Sequence, residues 1–253
     1  MQKNKVIMYT IPIVFWGGIW YFVCAIINNP LLLPSPLAVF TSLIQLIYDK
    51  VFWLNVSNSL MRIVLGFVLG VALGMIFAVL SHMSKLFRLI INPLISVIKA
   101  TPMASIIILL LVWITSKNLS VVLVLLVVLP NIYSNTLKGL QQVDPKLLEM
   151  AFVFKMNKRN RIRYIYLPKV MEFLLPAVSF SLGFSWKSGI SGEVLAQPVN
   201  TIGEALYYSK VYLNTPALFA YTLFIVGISI VMEKVIIRFI KGFEKGVSYE
   251  SRN

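Results

Sequence analysis

The sequence predicts an all-α polytopic membrane protein with about six transmembrane helices, folded as a single domain over residues 1–253. Of these residues 58% are hydrophobic and only 13% are charged, so polar side chains are too few to cover a soluble globule of this length. Apolar runs of about 20 residues, the length that a helix needs to cross a bilayer, also recur along the chain. They lie at about 6–27, 60–80, 89–114, 119–137, 170–190 and 216–237.

The first apolar run follows Lys3 and Lys5, as the apolar region of a signal peptide would. It is longer than that region usually is, and no pattern of small residues for cleavage follows it. We therefore predict a retained helix. Cys24, the single cysteine, lies inside this run and allows no intrachain disulfide or metal-thiolate cluster.

The second run contains Gly66, Gly70, Gly74 and Ala78, a small residue at every fourth position. This spacing places all four on one face of a helix, where a neighbouring helix can approach closely. The pattern predicts helix packing rather than a direct role in the passage of a solute.

Basic residues predict the orientation of the chain. If the N-terminus is cytoplasmic, sixteen of the 23 lysines and arginines fall in inside segments, and only Lys50, Lys117, Lys187 and Lys210 fall outside. The positive-inside rule therefore predicts that both termini are cytoplasmic. The net charge of +14 reflects this topology and does not indicate nucleic-acid binding.

Between the first two runs, Pro34-Ser35-Pro36 predicts an extended segment from which a helix begins. The apolar residues after it recur at helical spacing, with polar residues on the other faces. This pattern predicts a helix lying in the outer membrane interface. Its apolar face consists of Val39, Phe40, Leu43, Ile44 and Ile47.

The third run is interrupted by Lys99-Ala100-Thr101-Pro102 and also contains Pro93. A broken backbone at membrane depth is tolerated where it is buried in protein or lines a cavity. Lys99, Thr101 and Pro102 are therefore candidates for a translocation path, and a simple kink is an equally good interpretation.

Ionisable residues near or within the apolar runs are the other candidates, because an unpaired charge in a bilayer is costly. Besides Lys99 they are Glu172, expected near the inner interface, and Lys187 and Glu193, expected near the outer end of the fifth span. Lys187 and Glu193 could pair or line an outer gate. The serines and glycines of Gly189 to Gly203 predict an outside connection that could face a partner protein.

Residues 138–169 form a long basic segment that the orientation places inside. Asp144-Pro145 is a helix-start signal, and the helix should run to Phe154. A break near Met156-Asn157 and a second basic helix toward Pro168 complete a helix-turn-helix. Its apolar side chains should be covered, either by a groove of a cytoplasmic partner or by anionic lipid headgroups.

This segment resembles the cytoplasmic loop of binding-protein-dependent ABC importer permeases. That loop carries Glu-Ala-Ala, a glycine four residues after the second alanine, and Ile-x-Leu-Pro after nine more residues. The present chain has Glu149-Met150-Ala151 and Ile165-Tyr166-Leu167-Pro168 at the same spacing. It departs from the family at Met150 and at Lys155, which replaces the glycine and puts the usual turn geometry in question.

Further short matches over about residues 29–245 resemble the subgroup that handles nitrate, sulfonates, taurine and related small solutes. They are 33–36, Ser59-Leu60-x-Arg62 leading to Gly66, 100–102, 143–145 and 193–195.

The resemblance implies a permease subunit in the bacterial inner membrane that pairs with a second copy. Each copy would dock a cytoplasmic ATPase, which uses ATP and Mg²⁺, while an external solute-binding protein delivers the solute. The chain itself would bind no cofactor. The residues implied in coupling to the ATPase are Glu149, Met150, Ala151, Phe152, Phe154, Lys155, Lys158 and Arg159, with Phe152 and Phe154 as apolar anchors.

Other functions have weaker support in the sequence. The chain has no Gly-x-x-x-x-Gly-Lys-Ser/Thr phosphate loop, and His82 is its only histidine, so we expect a transport subunit that is not an enzyme. A secondary carrier driven by an ion gradient is the alternative, but it would call for clear internal inverted repeats. The solute remains open among sulfonates, other small anions and a pyrimidine-type vitamin precursor.

Overall fold

The computed structural model describes the backbone of residues 2–250 and the side chains of residues 11–12, 14–235 and 238. Within this part of the chain the secondary structure is helical, and no strand occurs. A π-helical turn at Ile162–Tyr166 joins the eighth helix to the ninth. The helices are α1 Gln2–Ile27, α2 Pro36–Tyr48, α3 Lys50–Met83, α4 Lys85–Ala100, α5 Met103–Trp113, α6 Ser116–Gln141, α7 Pro145–Val153, α8 Lys158–Arg161, α9 Leu167–Ala196, α10 Ile202–Val211 and α11 Thr215–Glu250.

Four helical segments are long and apolar enough to cross a membrane: Lys50–Met83, Ser116–Gln141, Lys158–Ala196 and Thr215–Val235. The pair α4 and α5 makes a fifth if it is counted as one broken span. In α1 the apolar part with described side chains, Val14–Ile27, is shorter than a full crossing. The all-α membrane fold is thus confirmed, whereas the predicted number of six spans is not.

The core lies where α6 packs between α3 and α9. The four small residues of the second predicted span are all buried at the contact between α3 and α6. A methyl group added at Gly66 would lie 2.5 Å from the carbonyl oxygen of Val121, and one at Gly70 would lie 2.8 Å from Cβ of Val128. The prediction that this face packs a helix is therefore confirmed.

Two helices extend beyond their predicted spans because polar residues at their ends are buried inside the bundle. Helix α3 begins at Lys50 rather than near residue 60, and Asn55 and Ser59 lie buried in its first turns. Helix α9 continues through Ala196, so the prediction of an outside connection from Gly189 onward is wrong as far as Ala196. The glycines there serve close packing, since a methyl group at Gly189 would lie 2.5 Å from Cγ1 of Ile63.

The helix predicted after Pro34 is present as α2, and its position in the membrane interface stays a prediction. Ser35 caps it by accepting a hydrogen bond from the amide of Ala38 at 3.2 Å, and Pro36 occupies the first helical turn. Val39 is fully buried against the bundle, while Phe40 and its neighbours on the predicted apolar face are more exposed. The helix is therefore anchored mainly through Val39.

The third predicted span is not one helix but two, α4 and α5, whose axes differ by 110°. Pro102 lacks an amide proton and restricts Thr101 to an extended conformation, which the Thr101 ψ of 129° shows. Pro93, by contrast, remains inside α4. The bend is far larger than that of a simple kink.

Candidate translocation cavity and coupling loop

The basic segment 138–169 folds as the predicted helix-turn-helix, which we call the hairpin. Asp144 caps α7, with its Oδ1 accepting a hydrogen bond from the amide of Lys146 at 2.9 Å, and Pro145 is the first residue of the helix. Asn157 caps α8 in the same way through the amide of Asn160, at 2.8 Å. The helix starts follow from these local signals, and α7 ends at Val153, one residue before the predicted end.

The turn after α7 keeps a left-handed residue although the family glycine is absent. Lys155 has a φ of +49°. The amide of Met156 donates to the carbonyl oxygen of Ala151 at 2.8 Å, and that of Lys155 donates to the carbonyl oxygen of Phe152 at 3.0 Å. These two bonds define a Schellman motif, which normally places glycine at the left-handed position. Lysine therefore adopts the turn geometry at a cost in backbone strain.

Replacing Lys155 with glycine should relieve this strain. We expect Lys155→Gly to stabilise the hairpin by about 0.5–1 kcal/mol, because the relief exceeds the extra entropy of the unfolded chain. Hydrogen exchange of the Met156 amide should slow accordingly.

Lys158→Gly is the matched control, since Lys158 is the first residue of α8 and does not have a positive φ, so glycine there relieves no strain and only raises the entropy of the unfolded chain. The two substitutions should change protection in opposite directions. Faster exchange in Lys155→Gly would contradict the assignment of strain to this turn.

The hairpin has a small apolar core of its own and an apolar outer surface. Ala151 is 2% exposed and packs with Val143 and Ile165. Phe152 and Phe154, in contrast, are 81% and 77% exposed. Met150 is partly exposed, and the charged residues predicted for coupling, Glu149, Lys155, Lys158 and Arg159, all lie at the surface.

The hairpin is joined directly to a membrane span. From Lys158 the chain continues through the π-helical turn into α9. The resulting helical segment is long enough to cross a membrane and extends without a break to Ala196. Pro168 falls in the first turn of α9 and does not interrupt it. The second helix of the hairpin and α9 therefore form one continuous helical segment from Lys158 to Ala196.

A cavity of about 300 Å³ lies beside the break between α4 and α5. The predicted residues Lys99 and Thr101 both line it, and Pro102 sets the break at its edge. Phe180 and Phe184 of α9 stack in its wall with ring centroids 5.9 Å apart. The remaining lining residues are Ile98, Met103, Ile106, Leu126, Val127, Pro130 and Asn131.

The polar groups of the cavity are mostly satisfied within the protein. Nδ2 of Asn131 donates to the carbonyl oxygen of Ala177 and to Oγ of Ser181. The Thr101 hydroxyl donates to the carbonyl oxygen of Val97. Nζ of Lys99 donates to Oγ of Ser134 at 2.7 Å, which leaves two of its three protons for another acceptor.

The two other predicted path residues lie apart from this cavity and from each other. Lys187 is exposed, and Glu193 is fully buried. Oε2 of Glu193 accepts a hydrogen bond from Oγ of Ser59 at 2.6 Å, and Ser59 also accepts one from the amide of Ile202. Glu193 thus ties together α3, α9 and α10, and the possible pairing with Lys187 is wrong.

Sequence reasoning did not single out Asn131, Ser134, Phe180 or Phe184 as cavity residues. Asn131 and Ser134 carried a signal, since they are polar residues at helical spacing inside an apolar run. The two phenylalanines carried none, because aromatic residues are common throughout membrane spans.

The family model for the binding-protein-dependent transport system inner membrane component matches residues 70–248, more than half of the chain. The putative aliphatic sulfonates transport permease protein SsuC of Bacillus subtilis (strain 168) is 26% identical over 189 residues, which are 74% of this chain and 68% of SsuC. The nitrate import permease protein NrtB of Synechococcus elongatus (strain ATCC 33912 / PCC 7942 / FACHB-805) is 23% identical, covering 74% of this chain and 71% of NrtB.

The taurine transport system permease protein TauC of Escherichia coli (strain K12) is 22% identical, covering 70% of this chain and 67% of TauC. Among solved structures, an amino acid ABC transporter with histidines has a TM-score of 0.59 at 23% identity, covering 76% of this chain and 93% of that chain. The inward-facing MetNI methionine ABC transporter has a TM-score of 0.56 at 14% identity, covering 75% and 93%. The fold and the family match agree, and the chain belongs to the family of binding-protein-dependent transport system inner membrane components.

Proposed function

We propose that this chain forms the translocation path of an ATP-driven importer for a small organic solute of the sulfonate, taurine or nitrate type, or for a vitamin precursor. The observation that carries the proposal is the basic hairpin 138–169, which exposes Phe152 and Phe154 on a rigid, self-packed scaffold. Aromatic residues left bare beside several cations form a surface that suits a protein groove.

The partner at this surface is a cytoplasmic ATPase, which binds ATP and Mg²⁺. Phe152 and Phe154 fill its groove, while Lys155, Lys158 and Arg159 provide charge at the rim. Ala151 supports the hairpin from inside, because it is buried in the hairpin core. An outer solute-binding protein supplies the solute on the opposite side.

The structure suggests how movement of the hairpin would reach the cavity. The helix that leaves the hairpin at Lys158 continues through α9, and α9 carries Phe180 and Phe184 in the cavity wall. A rigid-body shift of the hairpin on ATP binding therefore moves one wall of the cavity. A second copy of the chain covers the open side.

In this arrangement both termini and the hairpin lie in the cytoplasm of a bacterial cell and the chain crosses the inner membrane several times. Lys99 and Thr101 line the path and Pro102 maintains the break beside it, whereas Lys187 and Glu193 remain predictions without a contact that supports them. No described feature favours the ion-gradient carrier.

Uptake into vesicles tests the proposal. The chain, reconstituted with the ATPase and the binding protein of its gene neighbourhood, should accumulate methanesulfonate, taurine or nitrate only when Mg-ATP and the binding protein are present. Ionophores that collapse ion gradients should not affect this uptake. Uptake that needs a gradient and no ATP would instead establish the carrier.

A further inference from the structure

Polar residues form a continuous stripe on one face of α4. They follow one another at intervals of three or four residues, which is the spacing of a single helix face. All five are exposed, and at 1.5 Å per residue the stripe is about 21 Å long. The stripe consists of Lys85, Arg88, Asn92, Ser96 and Lys99.

Helix α6 carries a second stripe beside the first, made of Asn131, Ser134, Asn135 and Lys138. The two stripes are joined near the cavity by the hydrogen bond from Lys99 to Ser134. Farther along, the Tyr133 hydroxyl of α6 contacts Oδ1 of Asn92 at 2.7 Å. We call the two stripes together the polar track.

The polar track leads from the cavity to the end of the bundle that bears the hairpin. Arg88 reaches Gln141, with Nη1 2.6 Å from the amide oxygen when that amide is turned to face the guanidinium. An open groove of about 430 Å³ follows this part of α4, lined by Lys85, Arg88, Leu89, Asn92, Pro93 and Ser96.

Within the part of the chain that the structure describes, no carboxylate forms a salt bridge with a cation of the track. From Lys50 through Val143, both included, the sequence contains seven lysines and arginines but no aspartate or glutamate. Four of those cations, Lys85, Arg88, Lys99 and Lys138, lie on the track. Exposed cations facing hydrocarbon would be costly, so this face requires water or a partner that brings negative charge.

The positive-inside rule accounts for Lys85 and Arg88, which begin α4, but not for Lys99. Lys99 lies about three turns beyond Arg88 along the helix, in a cavity wall that is otherwise apolar or already hydrogen-bonded. A lysine with two free protons beside stacked phenylalanines offers one contact for a negative group and another for an apolar group.

We infer that the polar track is an anion-selective path in which Lys99 binds the negative group of the solute and Phe180 and Phe184 contact its apolar part. The ligand class is a small organic monoanion, such as a sulfonate or a carboxylate, which fits a cavity of about 300 Å³. This inference rests on the proposed permease function and narrows its solute to anions.

Charge-selective labelling of a cysteine in the cavity tests the inference without knowledge of the natural solute. Cys24 is the only cysteine, so Cys24→Ser supplies a clean background. Val127→Cys then places a reporter in the cavity wall. We measure its reaction rate with two reagents, the anion methanethiosulfonate ethylsulfonate and the cation methanethiosulfonate ethyltrimethylammonium. Each rate is divided by the rate of the same reagent at a fully accessible reporter, Tyr212→Cys, since Tyr212 is exposed.

We expect the normalised rate of the anionic reagent to exceed that of the cationic reagent by at least about tenfold, as one nearby unit charge in a partly aqueous site can produce. Lys99→Met should reduce the ratio to within about twofold of unity, and Lys99→Arg should preserve it. Lys117→Met removes an exposed cation that lies off the track and should leave the ratio unchanged.

A ratio near unity in the parent protein, an unchanged ratio in Lys99→Met, or no reaction with either reagent would each overturn the inference. If Lys99→Met does not fold, a competition experiment replaces it. Methanesulfonate, but not tetramethylammonium, should then slow the labelling of Val127→Cys by an uncharged reagent. The labelling requires neither ATPase nor binding protein. Failure of ATP-driven uptake with intact charge selectivity would therefore refute the proposed function alone.

Discussion

The double variant Phe152→Asp with Phe154→Asp should lose its ATPase. Both rings are almost fully exposed on the hairpin, and anchors of this type often contribute 2 kcal/mol or more each to an interface. Two carboxylates in their place would also have to be desolvated on docking. We expect a loss of at least about 4 kcal/mol, roughly a thousandfold in affinity. Affinity purification through a tagged ATPase in detergent measures it, and ATP-driven uptake should fall to background.

A control for this variant uses apolar residues of similar exposure that lie outside the hairpin, after α10. Tyr212 and Leu213 follow α10 and are 75% and 63% exposed, so Tyr212→Asp with Leu213→Asp adds the same charges away from the hairpin. This control should retain the ATPase. If the hairpin variant also retains it in detergent, the apolar surface does not dock the ATPase, and contact with lipid headgroups becomes the better interpretation.

The hairpin was predictable from sequence because its signals are local. Asp144-Pro145 and Asn157 act on amides within three residues, and the helices begin where those caps lie. The turn at Lys155 was harder to predict, since lysine seldom adopts positive φ. The hydrogen bond that the Met156 amide donates to the Ala151 carbonyl oxygen nevertheless imposes the geometry that glycine would adopt freely.

The cavity and the buried carboxylate depend on contacts between distant parts of the chain, which a single sequence does not specify. Ser59 and Glu193 are 134 residues apart, and nothing in either neighbourhood indicates their hydrogen bond. For the same reason Glu193 was expected at a gate. Asn55 and Ser59 also made the start of α3 look like a connection, whereas burial inside the bundle allows polar residues within a span.

The contact between α3 and α6 depends on glycine more than on any other residue type. At Gly66 the obstructing atom is the backbone carbonyl oxygen of Val121, which cannot turn aside as a flexible side chain could. Any side chain there must force the two helices apart, and the same contact recurs at Gly70 and Gly74.

Gly66→Leu should therefore prevent formation of the native bundle. A methyl group alone would meet the Val121 oxygen at 2.5 Å and Cβ of Val124 at 2.9 Å, and overpacking of this kind costs about 1–3 kcal/mol before the rest of the leucine is added. Size-exclusion recovery and the thermal unfolding midpoint measure the loss. Gly227→Leu in α11 is the matched control, because nothing lies within 4 Å of its added carbon. Equal recovery of the two variants would mean that α3 and α6 do not pack this closely in the membrane.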